Sequence, residues 1–563
     1  MHIAPMIGIL LFWLAFSPVQ LVPVRPPAYR QEPLQTGITH PPGLQKSMVN
    51  NATAEKIRDH FERLPLQKSS KGGAEKVRVN TRLSRLYATG GFQPLWTKRT
   101  MVAELIKAVE ESIDDGLEPS DYHLSEIRGL YNKPPTTPEL EASYDLLLSD
   151  AFLTLAGHLR YGKVHPENLD QNWNITDIRS RKPLEERLQY AIDSEKIAVV
   201  LKELRPQHPQ YEELRKGLVR YRVIAREGGW PVIADGPKLQ EGERDNRIPV
   251  LRKRLNVSGD SNVMSEDTSR VYSGEIVDAV KRFQRRSGID ADGVVGPATL
   301  QVMNIPVEHR IEQIRINLER CRWFLSDLEP TCIMVNIAGF TLEYVENAHY
   351  RWETRVIVGQ PSRKTPVFRA TIQSIVLNPQ WVIPPTILAK DALPALRKSS
   401  SWLNKKKLRV IDRNGRVVQP ASVNWSQYSA ADFPYRLQQT AGDHGALGRI
   451  KFLLPNRYLV YLHDTPNKEL FEKSRRTFSS GCIRVENPVD LAELVLQDKG
   501  HWNRSQILGA INTGKTRTVA LQKQVPVLIL YLTAVAKGDE LFFQDDVYNL
   551  DDNLLKALNK PVH

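Results

Sequence analysis

The run Thr477-Phe478-Ser479-Ser480-Gly481-Cys482-Ile483-Arg484 constrains this chain more than any other stretch. It places one cysteine in a turn of small residues, while Tyr461-Leu462-His463-Asp464-Thr465-Pro466 upstream supplies a histidine from a different element. A thiol becomes an effective nucleophile near neutral pH only with a base or cation beside it, so a fold that uses Cys482 chemically must bring His463 to it. Gly481 permits positive φ and removes side-chain bulk where a carbonyl would approach. Backbone N–H groups around Gly481 and Cys482 are then expected to face a developing oxyanion. The alternative is that Cys482 is a small buried hydrophobe, the usual fate of a free cysteine.

The surroundings weigh toward chemistry. Asp443-His444-Gly445 through Phe452 leads by a turn at Pro455-Asn456 into a strand-like Tyr458–Leu462, with His463 at its end. Ile375-Val376-Leu377 through Trp381-Val382-Ile383 reads as another strand, closed by Pro384-Pro385. Together these segments resemble the catalytic domain of the L,D-transpeptidases, the YkuD-type domains. The family pattern is a histidine, a spacer, then Ser/Thr-x-Gly-Cys-hydrophobic-Arg, met here by His463, Ser479 or Ser480, Gly481, Cys482, Ile483 and Arg484. Many members have His-Gly and Ser-His-Gly-Cys, whereas this chain has His463-Asp464 and Ser480-Gly481-Cys482, a form similar to the large periplasmic YcbB-like branch.

The resemblance implies Cys482 as nucleophile and His463 as base, with Ser480, Gly481 and Cys482 shaping an oxyanion site. It implies that Arg484 and Tyr461 place substrate and that Trp381 is a pocket wall. Arg484 pairing with a structural carboxylate is the alternative, and the third member of any triad stays open. The implied reaction moves an acyl group from a tetrapeptide stem, through a cysteine thioester and with release of D-alanine, to the diamino acid of a neighbouring stem. Rivals are an L,D-carboxypeptidase, a lipoprotein-attachment enzyme, a wall thiol endopeptidase and a non-catalytic wall-binding protein.

Residues 245–305 form a second recognisable unit. Ile276, Val277, Val280 and Phe283 recur at helical spacing behind Ser273, a candidate N-cap. A helix around Ile248–Leu255 precedes it, and the glycines and proline of Ser287–Thr299 mark turns before a third. Asp290-Ala291-Asp292-Gly293 falls short of a calcium loop because Val294 stands where an oxygen ligand is needed, so a turn-forming aspartate is expected. The Phe-Gln followed by Asp-Gly-x-x-Gly-x-x-Thr resembles the peptidoglycan-binding type 1 domain.

At 563 residues the chain has room for about three or four domains. The apolar run Ile7–Phe16 reads as a signal peptide or membrane anchor over residues 1–24, and 25–50 as a linker. Export to the periplasm is expected, with retention at the inner membrane left open. No second hydrophobic span appears, since Val525–Leu532 is short and reads as a core strand. Cysteines 321, 332 and 482 are too few for a disulfide scaffold, although Cys321 and Cys332 could pair. Neither a metal nor a cofactor is expected, because Cys482, His463 and Asp464 lack zinc-ligand spacing. The net charge of +13 suits an acidic polymer, and no nucleic-acid motif accompanies it.

The expected fold class is multidomain α+β: a mainly β catalytic domain with a capping insertion, a small three-helix peptidoglycan-binding-like domain and a mainly α-helical scaffold. The corresponding bounds are 51–240 for the scaffold, 245–305, then 311–535 for the catalytic domain, with 536–563 as a terminal strand and helix. The insertion, about 386–442, does not alternate like a sheet and matches a lid in the family comparison. In the scaffold, Arg160-Tyr161-Gly162-Lys163-Val164 is read as a helix end and turn without chemistry. Expected partners are peptidoglycan stem peptides and glycan, with D,D-carboxypeptidases and glycan polymerases as candidate companions.

Overall fold

The computed structural model describes residues 51–63, 83–170, 173, 175, 183–261, 268–442, 444–498 and 500–562. The expected signal or anchor and the linker lie outside the described residues, as does Asp443. Among the described residues no helix is long and apolar enough to cross a membrane. The architecture is multidomain α+β.

The scaffold is built around α1 (Pro138–Tyr161), opened by Thr137, whose side chain accepts the Leu140 N–H, and by Pro138 in the first turn. Its apolar residues are distributed round the helix and pack on every side, with Leu148, Phe152, Leu155 and Leu159 essentially inaccessible. The helix stops at Gly162, φ 90°, where a Cβ would lie 2.6 Å from Glu319 and Trp323 side-chain atoms. Only glycine fits that approach. The phrase around it is therefore structural, as the sequence suggests: Val164 donates to Glu319 Oε1 at 2.6 Å, and its carbonyl accepts from Trp323 Nε1 at 3.1 Å.

Glu319 and Trp323 belong to α6 (Val307–Phe324), which packs against α2 (Pro209–Arg226). Charged residues inside this contact are paired. Arg322 and Glu319 are fully buried at 2.6 Å, and Arg322 also donates to the Asp115 carbonyl and the Tyr211 hydroxyl. Removing one partner of such a pair costs about 3–5 kcal/mol.

Between them lie α3 (Ile248–Val257), α4 (Gly274–Arg286) and α5 (Pro297–Met303), closed on a core that includes Leu251, Ile276, Phe283 and Met303. Ser273 precedes α4 but its side chain makes no capping bond, contrary to the expectation from sequence. The aspartate turn is as read: Asp292 Oδ1 accepts the Val294 N–H at 2.9 Å.

The β region has β1 (Cys332–Asn336), β2 (Thr341–Glu346), β3 (His349–Gly359), β4 (Phe368–Leu377), β9 (Ile450–Leu453), β10 (Leu462–His463), β11 (Thr477–Ser479), β12 (Ile483–Val485) and β13 (Arg517–Leu530) in one sheet. The order is β11-β3-β12-β10-β9-β4-β13-β1-β2, and β2 also pairs with β3, so the strands from β3 to β2 close on themselves. Closure removes the open edges those strands would otherwise present. Val525–Leu530 is the buried core strand anticipated from sequence.

The strand expected from Ile375 through Ile383 is split, since β4 ends at Leu377 and left-handed Asn378 (φ 48°) breaks it. Trp381–Val382 joins a second sheet with the insertion, which was expected not to alternate like one. β5 (Trp381–Val382), β6 (Leu408–Ile411), β7 (Val417–Val418) and β8 (Arg436–Gln439) form a small sheet in the order β5-β8-β6-β7. Short helices from 385 to 405 pack on it around Leu393, Leu403, Val410 and Trp425. Strands of two to four residues carry too little alternation to register as a period.

At the C-terminal end β14 (Ala534–Lys537) and β15 (Glu540–Phe543) pair only with each other and, with α7 (Asp551–Leu558), pack into the scaffold core. Gly217 of α2 admits Leu541 there, since a Cβ would lie 2.5 Å from its Cδ1. Val547 and Tyr548 join the core of the β region instead. Cys321 and Cys332 are both free and buried, and that burial pushes each thiol up to about 12.

Candidate active site

Two short strands run parallel at the centre of the site. In β10 and β12 Leu462 lies beside Ile483 and His463 beside Arg484. Side chains alternate along a strand, so Leu462 and Ile483, both fully buried, face the core while Tyr461, His463, Cys482 and Arg484 share the other face. The antiparallel neighbour β9 sets Lys451 opposite His463. The triplets Tyr-Leu-His and Cys-Ile-Arg thus work as one register.

The expected strand over Tyr458–Leu462 is shorter than anticipated. Only Leu462 and His463 are strand, because the Asn456 side chain accepts from the N–H groups of Tyr458 and Val460 and donates to the Val460 carbonyl. Those bonds hold the preceding residues in a loop in which Leu459 is left-handed at φ 57°. The Leu459 carbonyl lies 3.9 Å from the Cys482 sulfur.

Trp381, Tyr461, His463, Ser480, Gly481, Cys482 and Arg484, all singled out from sequence, line one cavity of about 670 Å³. The capping insertion contributes Asp391 and Trp402 to its wall. His463 is buried, and its Nδ1 meets the Asp464 carbonyl at 2.5 Å. A carbonyl only accepts, so Nδ1 carries the proton and Nε2 the lone pair. The ring's orienting partner is this backbone carbonyl. The Asp464 carboxylate is occupied elsewhere, accepting from Lys468 Nζ and from the N–H groups of Thr465 and Arg449.

Burial pulls the His463 imidazole down to about 3, helped by the Arg484 and Lys451 charges and opposed by the Asp464 and Leu447 carbonyls. Burial pushes the Cys482 thiol up, and Tyr461, Lys451 and Arg484 offset only part of that. Thiol and imidazole line the same cavity and both rest neutral. Lys451 Nζ sits 3.7 Å from the Tyr461 ring centroid, a cation–π contact that neither segment signals alone.

The turn is tied from below. Gly481 has φ 116°, which favours glycine, and its carbonyl accepts from Thr365 Oγ1 at 2.8 Å. Ser479 Oγ donates to the Cys482 carbonyl at 2.5 Å and accepts the Gly481 N–H at 3.0 Å. This corrects the expected oxyanion donor set: the Gly481 N–H is spent inside the turn. Ser480 points to Arg363, whose Nη1 donates to its hydroxyl at 3.1 Å while the same guanidinium grips Asp391 of the insertion at 2.6 and 2.7 Å. Among the described residues Arg484 makes no ion pair and its buried Nε lacks a partner, while the Glu469 carboxylate still acts on its charge.

Sequence reading missed Arg363, Asp391, Thr365, Lys451 and Tyr548. Tyr548 donates to the Gly359 carbonyl at 2.6 Å and accepts the Thr365 N–H at 3.0 Å, fixing the strap under Gly481 from the far end of the chain. None belongs to a local motif, so only the closed sheet reveals them.

Comparison with known proteins agrees with this geometry. Residues 330–527 match the family described as "L,D-transpeptidase catalytic domain", the YkuD family. The chain carries a YkuD-type L,D-transpeptidase catalytic domain. Residues 81–218 match the "Scaffold domain" and 244–303 the "Putative peptidoglycan binding domain". A Haemophilus influenzae protein named "Putative L,D-transpeptidase" is 36% identical over 240 residues, 43% of this chain and 48% of that protein. The match therefore spans about half the length of that relative.

Solved L,D-transpeptidase structures from Xylanimonas cellulosilytica and Stackebrandtia nassauensis are 12% and 14% identical, with TM-scores of 0.17 and 0.21. Each covers 53% of this chain, and 98% and 95% of the respective solved chains are covered.

Proposed function

We propose that this protein is a peptidoglycan L,D-transpeptidase that cross-links diamino acid residues of neighbouring stem peptides. The observation that carries the reading is the parallel register of Tyr461-Leu462-His463 with Cys482-Ile483-Arg484 inside a capped cavity. Because thiol and imidazole both rest neutral, proton transfer accompanies attack. His463 Nε2 takes the thiol proton as sulfur bonds to the carbonyl carbon of the donor's penultimate residue. The tetrahedral oxyanion then collapses, the C–N bond breaks, and the imidazolium protonates the departing D-alanine amine. A thioester remains on Cys482.

The acceptor amine attacks that thioester and passes its extra proton to His463, which returns it to sulfur as the C–S bond breaks. Arg484, without an ion pair among the described residues, is available to a stem carboxylate, and the Cys482 N–H to the oxyanion. The cap, held down through Arg363 and Asp391, excludes water that would hydrolyse the thioester. Substrate chemistry places the activity outside the cytoplasm, in the periplasm, with the N-terminal apolar run as its route of export. Stem tetrapeptides presuppose trimming enzymes, and D,D-carboxypeptidases remain the candidate companions.

Mass spectrometry after incubation with disaccharide-tetrapeptide tests the reading. A cross-linked dimer with loss of D-alanine, absent in Cys482→Ala, supports it. Tripeptide alone would establish a carboxypeptidase, and no Cys482-dependent product a binding protein.

A further inference from the structure

The turn that carries Cys482 is a wall between two cavities. On one side is the capped cavity with Cys482 and His463; on the other is a cavity of about 710 Å³ that contains neither. Thr386, Tyr458, Val460, Ser480 and Gly481 line both. The partition between them is completed by the Arg363–Asp391 pair, Arg363 facing the second space and Asp391 the first.

The second cavity is made mostly by other regions of the molecule. The scaffold gives Trp173, α6 gives Trp323 and Phe324, the strap under Gly481 gives Lys364, and the cap gives Lys390. Trp173 stacks on Phe324 at 5.7 Å and 25° and meets Trp323 edge-on at 5.6 Å, a fixed aromatic shelf. Lys364 is tethered to the Tyr548 carbonyl at 2.8 Å, and Lys390 is an exposed cation on the rim. An aromatic shelf offers a face to the C–H surface of a pyranose, and cations beside it suit a carboxylate. Its lining includes Asp170 and two lysines but neither Cys482 nor His463, so this space suits a part of a substrate remote from the reacting bond.

We propose that the second cavity binds the saccharide end of a stem-peptide substrate, an N-acetylated sugar resting on Trp173 and a carboxylate of the sugar-proximal part of the stem meeting Lys390, while the rest of the peptide crosses the Ser480–Gly481 wall toward Cys482. The proposal rests on the transpeptidase reading for its substrate. Remote binding of this kind is spent on positioning, so its mark is a rate advantage for sugar-bearing substrates.

The test uses the full chain and two substrates, the free tetrapeptide and the disaccharide-tetrapeptide. Wild type is expected to prefer the sugar-bearing substrate by about tenfold in kcat/KM, equivalent to roughly 1.4 kcal/mol. In Trp173→Ala the ratio should fall toward one, and Trp173→Phe should restore part of it. Binding of the disaccharide-tetrapeptide to Cys482→Ala, measured by calorimetry, should weaken at least fivefold on adding either Trp173→Ala or the surface change Lys390→Glu. A wild-type preference that survives Trp173→Ala, or disaccharide-tetrapeptide binding indifferent to both changes, overturns the proposal. Absence of Cys482-dependent turnover with either substrate overturns the transpeptidase reading instead, and the calorimetry still decides the cavity.

Discussion

Two sequence motifs in this chain look equally purposeful and are spent in opposite ways. In the small three-helix domain, Gln284 donates to Asp292, Val294 and Thr299 and accepts the Gly293 N–H, so the motif residues satisfy one another. In the catalytic domain, Tyr461, His463, Cys482 and Arg484 face a cavity, and burial distorts the titration of each. A recurring pattern whose polar atoms are mutually satisfied builds a turn. One whose polar atoms are left facing open space has something else to meet.

The sharpest way to break this contrast is substitution of the two motifs. Cys482→Ala should abolish D-alanine release, a loss of at least about 10³-fold, with the thermal midpoint little changed. Gln284→Ala should do the reverse. It leaves the Gly293 N–H, Asp292 and Thr299 short of a partner and should destabilise the three-helix domain by about 1–3 kcal/mol in denaturant titration. Turnover of a soluble tetrapeptide should persist. A catalytic loss in Gln284→Ala with intact stability would erase the distinction.

Acidity probes the same contrast more gently. The folded state holds His463 near 3 against an ordinary 6.5, so between these values the unfolded chain binds the extra proton. Stability should fall as pH drops from 6.5 toward 3, and His463→Asn should flatten that part of the profile. The acid limb of kcat/KM assigned to His463 should lie well below 6.5. A limb at 6.5 would show an imidazole far more hydrated than this one.

The smallest effect belongs to the cap. The Arg363–Asp391 pair is partly exposed, so Arg363→Ala should cost no more than about 1 kcal/mol of stability. It should nevertheless raise tripeptide formation relative to cross-linking a few-fold, read from product ratios, because the latch also holds Ser480. An unchanged ratio would separate the cap from the fate of the thioester.

Much of this site was legible because its residue types sit in short local motifs. Cys482 follows Ser480-Gly481 in a turn of small residues and His463 ends an apolar stretch, whereas the shared face of Tyr461, His463, Cys482 and Arg484 came with the parallel pairing of the two strands. Turn chemistry was local as well, which is why Gly481, Asp292 and Gly162 could be read as turns. The short strands of the cap and the loop at Leu459 were not legible, since two to four residues hold no period and Asn456 diverts the backbone through side-chain bonds.

The sequence by itself determined the candidate residues, Cys482 and His463 first among them, because residue type, a turn of small residues and the likeness to a family motif are all local in the chain. Only the tertiary structure decided what surrounds them. Closure of the sheet set Lys451 against Tyr461, return of the C-terminal segment put Tyr548 under the Gly481 strap, and the scaffold supplied Trp173 to the second cavity. Contacts between residues far apart in the chain leave no local pattern, and the energies that select them exist only once the core has closed.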